Sequence, residues 1–193
     1  RDYYASRGLG DVYKRQSMCY PVSSMGSHVS VVPNHQLNRK TPLHTRANVA
    51  YFGTFGYELD LNKLSYEEIS EVKQQIAFMK EYRELIQFGT FYRLKSPFEG
   101  NETAWMTVSE DKKTALVFWY RERNVVNADF TRVRLQGLDP DFIYRNEYNG
   151  TENYGDELMN LGLLTTDCTA GEPTSEDEPC TDYESRIYVL TAK

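Results

Sequence analysis

The sequence predicts an α/β segment followed by an all-β segment. Short apolar runs typical of buried strands lie near the start, a long amphipathic helix follows, and at least six short β-type runs come after it. A chain of 193 residues can bury a substantial core. Aromatic residues make up 13% of the chain, with fifteen Tyr and nine Phe, which favours β-rich packing of half-buried rings.

The first sixteen residues, RDYYASRGLGDVYKRQ, show no periodic pattern and differ in character from everything that follows. We expect residues 1–16 to be a non-native junction. Genomic reads that continue upstream of residue 17 with other residues are the test of this expectation.

Residues 17–33 predict two short buried strands, SMCYP and MGSHVSVV. Pro21 and the pair Ser23 and Ser24 provide the break between them. Short strands of this apolar kind suit the core of a parallel barrel.

Residues 41–61 predict a buried helix followed by a turn. Thr41 is suited to the N-cap and Pro42 to the first helical position, and a mostly apolar stretch follows. Gly53 and Gly56 weaken the helical pattern and place the turn.

The next segment predicts an amphipathic helix over about residues 66–87. Ser65 and Glu68 have capping-box spacing, and Gly89 lies just beyond the last apolar position. Apolar residues recur at helical intervals between charged ones, at Ile69, Val72, Ile76, Met79, Tyr82 and Ile86.

After Gly89 the pattern changes to short β-type runs, which predict an antiparallel β-sandwich. The runs are FYRLKS, TAWMTVS, TALVFWYRE, TRVRLQG, FIYRNEY and SRIYVLTA, and turn-forming residues separate them. The polar, acidic stretch TAGEPTSEDEP between Cys168 and Cys180 predicts a surface loop.

Several longer runs occur in the order found in one enzyme family. They are YPVSSMGSHVSVVPNHQ, TPLHTRANVAYFGTFGYELDL, EVKQQIAFMKEYRELIQFGTFYRLKSPFEGNETAW, LQGLDPDFIYR, YGDELMNLGL and SRIYVLTAK. From residue 17 to its end the chain resembles the bacterial α-galactosidases of glycoside hydrolase family 36. The resemblance implies the last strands and helices of a (β/α)₈ barrel over residues 17–95, with SMCYP near strand seven and MGSHVS as strand eight. It implies a C-terminal β-sandwich over residues 96–193.

The resemblance also implies an activity: retaining hydrolysis of terminal α-linked galactose from sugars such as melibiose and raffinose. Such enzymes use two carboxyl groups, one as nucleophile and one as acid/base. In this family both are Asp residues upstream of the SSMGSHVS segment, so this chain is expected to lack them and to be inactive alone. No cofactor is implied. A bacterial cytoplasmic location and a homo-oligomer, such as a tetramer, are expected of the intact protein.

Four residues are candidates for lining the galactose pocket of the intact enzyme: Met25, Gly26, His28 and Ser30. Barrel active sites lie at the C-terminal ends of the strands, which is where the resemblance places this segment. The competing interpretation is structural, with Gly26 allowing close packing and His28 acting as a hydrogen-bonded barrel residue.

Other acidic residues are expected to be structural. Asp60, Asp111, Asp156 and Glu157 fall in predicted turns, helix caps or the sandwich, where solvated or capping carboxylates are ordinary.

Other kinds of site lack sequence support. The net charge of −6 and the scattered basic residues argue against nucleic acid, and no apolar run approaches the length of a membrane span. His28, His35 and His44 lack partners at zinc-ligand spacing, so no metal is expected. Three cysteines at no motif spacing favour a reducing compartment.

Two alternatives to the α-galactosidase interpretation stay open. A stand-alone carbohydrate-binding or structural β-sandwich is one, and its mark is an exposed aromatic row around Trp105 and Trp119, although strand aromatics are more often core. The other is an enzyme with a similar barrel fold that acts on α-N-acetylgalactosaminides or transfers galactose to make raffinose-type sugars.

Overall fold

The computed structural model describes residues 17, 19–33, 38, 40–123, 130–165 and 182–193. The chain divides between Phe88 and Gly89 into two compact units, here called the N-terminal unit and the C-terminal unit. The predicted boundary between residues 95 and 96 therefore differs by one strand from the division seen in the structure.

The N-terminal unit is built on a β-α-β arrangement. Its elements are β1 (His28–Ser30), α1 (Leu43–Ala50), β2 (Gly56–Glu58) and α2 (Tyr66–Phe88), with single 3₁₀ turns at Val22–Ser24 and Leu61–Lys63. Strands β1 and β2 pair in parallel, with His28 opposite Gly56 and Ser30 opposite Glu58. A parallel pair joined through a helix is the repeating unit of a (β/α)₈ barrel.

The prediction of a strand at SMCYP is wrong. Ser17, Cys19 and Tyr20 lie in turns and bends, Cys19 and Tyr20 are exposed, and a 3₁₀ turn begins at Val22. Pro21 has no N–H to donate to a sheet, and its carbonyl accepts hydrogen bonds from the backbone N–H and the hydroxyl of Ser24, at 3.0 and 2.9 Å. This local turn replaces the predicted strand.

The segment after β1 also differs from its prediction. Helix α1 begins at Leu43, one residue later than expected, and Pro42 rather than Thr41 occupies the N-cap without a side-chain cap. The predicted turn is present at residues 51–54, but it leads into the unpredicted strand β2. A three-residue strand that begins with glycine carries too little local pattern to be recognised.

The predicted amphipathic helix is confirmed as α2, together with its capping box. The backbone N–H of Ser65 donates to Glu68 Oε2 at 2.9 Å, and the N–H of Glu68 donates to Ser65 Oγ at 3.2 Å. Val72, Met79 and Ile86 are buried along one side of the helix, as the helical spacing predicts.

The C-terminal unit contains a six-stranded antiparallel sheet. Its strands are β3 (Thr90–Lys95), β4 (Glu102–Val108), β5 (Thr114–Arg121), β7 (Ile143–Asn146), β8 (Glu152–Tyr154) and β10 (Glu184–Ala192). Across the sheet they lie in the order β3-β4-β5-β10-β7-β8. All six predicted β-type runs overlap a strand, one of them the short β6 (Arg132–Val133).

A second layer covers one face of this sheet. Strands β6 and β9 (Leu163–Leu164) pair with each other, and α3 (Gly155–Asn160) precedes β9. Val133, Leu135, Leu158 and Leu163 from this layer share a hydrophobic core with side chains of the large sheet. These two antiparallel layers form the predicted β-sandwich.

Both tryptophans are core residues. Trp105 and Trp119 are 0% exposed on neighbouring strands. They occupy opposite faces of the sheet, because side chains alternate along a strand and Trp119 but not Trp105 belongs to the shared core. The exposed aromatic row expected of a sugar-binding sandwich is therefore not built from them.

A row of charged side chains lies across one end of the sheet, on the face that packs against the core. Glu102 lies opposite Arg121 across β4 and β5, and Glu184 lies opposite Arg121 across β5 and β10. Lys95 bonds Glu102, Arg121 bonds Glu184, and Arg186 Nη2 lies 2.6 Å from Glu184 Oε1. The alternating signs give each half-buried charge a partner of opposite charge.

Candidate functional site

The parallel pair of the N-terminal unit has two chemically different faces. Val29 is 0% exposed, and on the same face the hydroxyl of Tyr57 donates to Oε1 of buried Gln75 in α2, at 2.7 Å. His28, Ser30, Gly56 and Glu58 occupy the opposite face, because side chains alternate along each strand and the register aligns them. These four residues are here called the open face.

His28 and Glu58 meet on the open face. His28 Nε2 lies 2.7 Å from Glu58 Oε2, although the residue directly opposite His28 is Gly56. The contact is diagonal, to the carboxylate two positions further along β2, and a Cβ added at Gly56 meets no atom within 4 Å. The side chains are 46% and 75% exposed in this chain, so their attraction is strongly screened by water.

Ser30 ends β1, and its backbone is held by an arginine of α1. Arg46 Nη1 donates to the carbonyl oxygen of Ser30 at 2.5 Å, and Arg46 Nε donates to that of Thr41 at 3.1 Å. Burial lowers the pKa of Arg46, while the nearby carboxylates of Glu68 and Glu71 act to raise it. The guanidinium has N–H donors and no acceptor, so it can bind both carbonyl oxygens at once.

The other two predicted site residues lie at the opposite end of β1. Met25 is buried, and its carbonyl accepts a 2.8 Å hydrogen bond from the N–H of Thr54, in the turn that precedes β2. Gly26 is exposed, and a Cβ added there meets no atom within 4 Å. The structure thus brings His28 and Ser30 together on one face and leaves Met25 and Gly26 outside it.

Glu58 and Arg46 were not among the predicted site residues. In the sequence Glu58 is one polar residue in GYELDL, and only its register opposite Ser30 places it beside His28. Arg46 follows Thr45 in a helix whose pattern is mostly apolar, and its contact with Ser30 joins residues sixteen positions apart. Local periodicity carries no information about such pairings.

The acidic residues that were predicted to be structural lie in turns and helix ends. Asp60 Oδ1 accepts from the backbone N–H of Asn62 at 3.0 Å, and Asp156 Oδ1 accepts from Asn160 Nδ2 at 2.6 Å. Hydrogen bonds from Ser109 and the N–H of Lys113 hold the pKa of Asp111 below its ordinary value. Glu157 is exposed in the first turn of α3.

Neither a metal-binding cluster nor a membrane-spanning helix occurs in the part of the chain that the structure describes. Within it, no group of three or more His, Cys, Asp or Glu side chains is arranged to hold a metal ion. His44 is exposed on α1, whereas His35 lies outside the described residues, as do Cys168, Cys180 and the acidic stretch between them. No described helix has both the length and the apolar character of a membrane span.

Two family models match the chain in succession. The Melibiase model matches residues 10–89, and the glycosyl hydrolase family 36 C-terminal domain model matches residues 102–190. The chain belongs to glycoside hydrolase family 36. Within that family its N-terminal unit is the end of the melibiase barrel, and its C-terminal unit is the β-sandwich that follows the barrel.

The relatives are α-galactosidases. The chain is 54% identical to α-galactosidase AgaA of Geobacillus stearothermophilus over 147 residues, which are 76% of this chain and 20% of the relative. The crystal structure of AgaA is similar to 98% of this chain, and the matched part is 24% of the AgaA chain. The TM-score is 0.87 and the sequence identity is 46%. The structure of an AgaA variant in complex with raffinose is similar to all of this chain, and the matched part is 25% of the variant's chain. Its TM-score is 0.88 and its sequence identity is 44%.

The chain therefore spans about a fifth to a quarter of the length of the relatives it matches. The strongly similar part is the barrel end and the sandwich. Family membership is a property of this chain, whereas the activity of a whole α-galactosidase also depends on the other three quarters or more of the relatives' length.

Proposed function

We propose that this chain is the C-terminal part of a retaining α-galactosidase that removes terminal α-linked galactose from oligosaccharides such as melibiose and raffinose. The open face of the parallel pair carries the proposal. It presents polar side chains on the side of the sheet away from Tyr57 and Gln75, which is the side that faces the lumen in a (β/α)₈ barrel.

The proposal assigns the two predicted residues of the open face to the lumen wall. Ser30 lies at the C-terminal end of β1, where barrel enzymes place their substrates, and His28 lies 2.7 Å from Glu58 on the same face. Met25 and Gly26, the other two predicted pocket residues, precede β1 and are not part of the open face.

The proposal also holds that the 193-residue chain lacks both catalytic aspartates. A retaining glycosidase needs two carboxyl groups about 5 Å apart on opposite sides of the scissile bond. Asp60, Asp111 and Asp156 are each engaged by local hydrogen bonds from turns or a helix end. Glu58 pairs with His28, and the described residues place no second carboxylate in an ion pair or hydrogen bond with it.

The raffinose complex of the Geobacillus relative supports a galacto-oligosaccharide as the substrate class. Burial of Trp105 and Trp119 argues against the alternative of a stand-alone sugar-binding sandwich.

We further propose a bacterial cytoplasmic location, because Cys19 is a free and exposed thiol. We also propose a homo-oligomeric state for the intact protein.

The test compares three proteins in hydrolysis of p-nitrophenyl α-galactoside and of raffinose. One is the 193-residue chain, the second joins residues 17–193 to the upstream part of Geobacillus AgaA, and the third is that upstream part alone. We expect turnover only in the joined protein, because catalytic carboxylates and a closed barrel occur together only there.

Activity in the 193-residue chain contradicts the absence of a catalytic pair. Inactivity of a folded joined protein contradicts the assignment as an α-galactosidase part. The upstream part alone is the control for activity that owes nothing to this chain.

A further inference from the structure

The side chain of Arg46 connects the end of a barrel strand to the start of the following helix. Its guanidinium donates to the carbonyl of Ser30, the last residue of β1, and to the carbonyl of Thr41, just before α1. One planar group with donors in a fixed fork thus holds two backbone carbonyls at a set separation. A lysine in its place offers one ammonium on a flexible stem and cannot bridge the same pair rigidly.

The contact with Ser30 lies at the C-terminal end of β1. Barrel enzymes bind substrate at the C-terminal ends of their strands and in the residues that follow. The residues directly after Ser30, at positions 31–33, are exposed or half-exposed and form no strand. The direction in which they leave β1 therefore depends on how the Ser30 carbonyl is held.

A hydrogen-bonded series extends from this arginine region to the second strand. Glu71, whose charge acts on Arg46, accepts from Gln75 Nε2 at 2.7 Å, and Gln75 Oε1 accepts from the hydroxyl of Tyr57 in β2 at 2.7 Å. Burial and the charge of Glu71 raise the pKa of Tyr57 to about 12, so its hydroxyl stays a donor at neutral pH. Arg46 thus contacts β1, the series of Glu71 and Gln75 reaches β2, and the charge of Glu71 acts on Arg46.

Resting on the proposed function, we propose that Arg46 is a positioning residue of the α-galactosidase reaction. By holding the carbonyls of Ser30 and Thr41 it sets the C-terminal end of β1 and residues 31–33 against the substrate. It touches neither the sugar nor the catalytic carboxylates and acts through the backbone that it holds.

The experiment uses the joined protein, residues 17–193 behind the upstream part of AgaA, with Arg46→Lys, Arg46→Ala and Arg83→Ala. Arg83 is an exposed arginine of α2 and is the matched control. Steady-state kinetics with raffinose separate kcat from KM, and thermal unfolding of each variant reports the fold. Arg46→Ala is also assayed with added guanidinium chloride, with sodium chloride at equal ionic strength as its control.

We expect kcat/KM of Arg46→Lys and Arg46→Ala to fall roughly ten- to a hundred-fold. A displacement of active-site residues by about 1 Å relative to the substrate lowers catalytic efficiency by a factor of that order. Most of the fall should lie in KM, since misplaced wall residues weaken substrate binding. Millimolar guanidinium should restore part of the activity of Arg46→Ala and none of that of the Lys variant. Arg83→Ala should match the unsubstituted protein.

Three outcomes overturn the proposal. One is unchanged kcat/KM in Arg46→Lys; another is a fall confined to kcat with a lowered unfolding temperature, which marks loss of folded enzyme; the third is equal loss in Arg83→Ala. An inactive unsubstituted joined protein instead overturns the proposed function, so the two failures are distinguishable.

Discussion

At the residue scale, the turn before β2 depends on a glycine in a conformation that other residues rarely adopt. Gly53 has φ +150°, and a Cβ added to it falls 2.5 Å from the carbonyl oxygen of Met25. The same carbonyl accepts the hydrogen bond from Thr54 that ties the turn to the segment before β1. Gly53 therefore lets two backbone segments approach each other more closely than a side chain permits.

Replacing Gly53 by alanine should destabilise the protein by about 1–3 kcal/mol, because the new methyl group meets backbone and the conformation is strained. Urea unfolding of the 193-residue chain measures this as a lower midpoint. Gly26→Ala is the control, since its added Cβ meets nothing within 4 Å. Equal midpoints for the two variants would contradict the argument.

The residues of the candidate site show where sequence patterns stop being informative. His28 and Ser30 were predicted because the run MGSHVS resembles a barrel strand of glycoside hydrolase family 36. Glu58 became part of the same face only through the parallel register with β1. Met25 and Gly26 belong to the same run, but they precede the strand, and the end of a barrel to which a residue belongs depends on where the strand begins.

At the element scale, the helices and strands with strong repeating patterns were predictable and the short irregular ones were not. Helix α2 has a capping box and a sustained apolar stripe, and β4 and β5 are long apolar runs. Strand β2 spans three residues, and SMCYP has strand composition but a proline that favours a turn. Where an element is this short, hydrogen bonding by tertiary neighbours or by a local turn decides its structure.

The capping box predicts a measurable contribution from a single hydroxyl of α2. Ser65→Ala removes the acceptor of the Glu68 N–H, so we expect unfolding to become easier by about 1 kcal/mol. Ser70→Ala makes the same chemical change at an exposed position inside the helix and should be neutral or slightly stabilising, because alanine is the better helix former. Circular dichroism at 222 nm during urea unfolding measures both, and a loss in Ser70→Ala as large as that in Ser65→Ala argues against the capping assignment.

At the scale of the whole molecule, the two units differ in how completely their strands are paired. Strands β4, β5 and β10 each have a partner on both sides in the large antiparallel sheet. Strands β1 and β2 pair only with each other among the described residues, so each has one edge without a sheet neighbour. Unpaired strand edges exchange amide hydrogens readily and tend to recruit other strands.

Amide hydrogen exchange should therefore separate the units within one protein. In the 193-residue chain we expect peptides containing β1 and β2 to exchange far faster than peptides containing β5 and β10, because local opening of a two-stranded pair breaks few hydrogen bonds. Joining residues 17–193 to the upstream part of AgaA should protect β1 and β2, since a closed barrel pairs both edges of every strand. Peptides of β5 and β10 are the internal control and should change little between the two proteins. If β1 and β2 are equally protected in both proteins, the strands do not need further barrel neighbours, and the assignment of the open face to a barrel lumen loses its support.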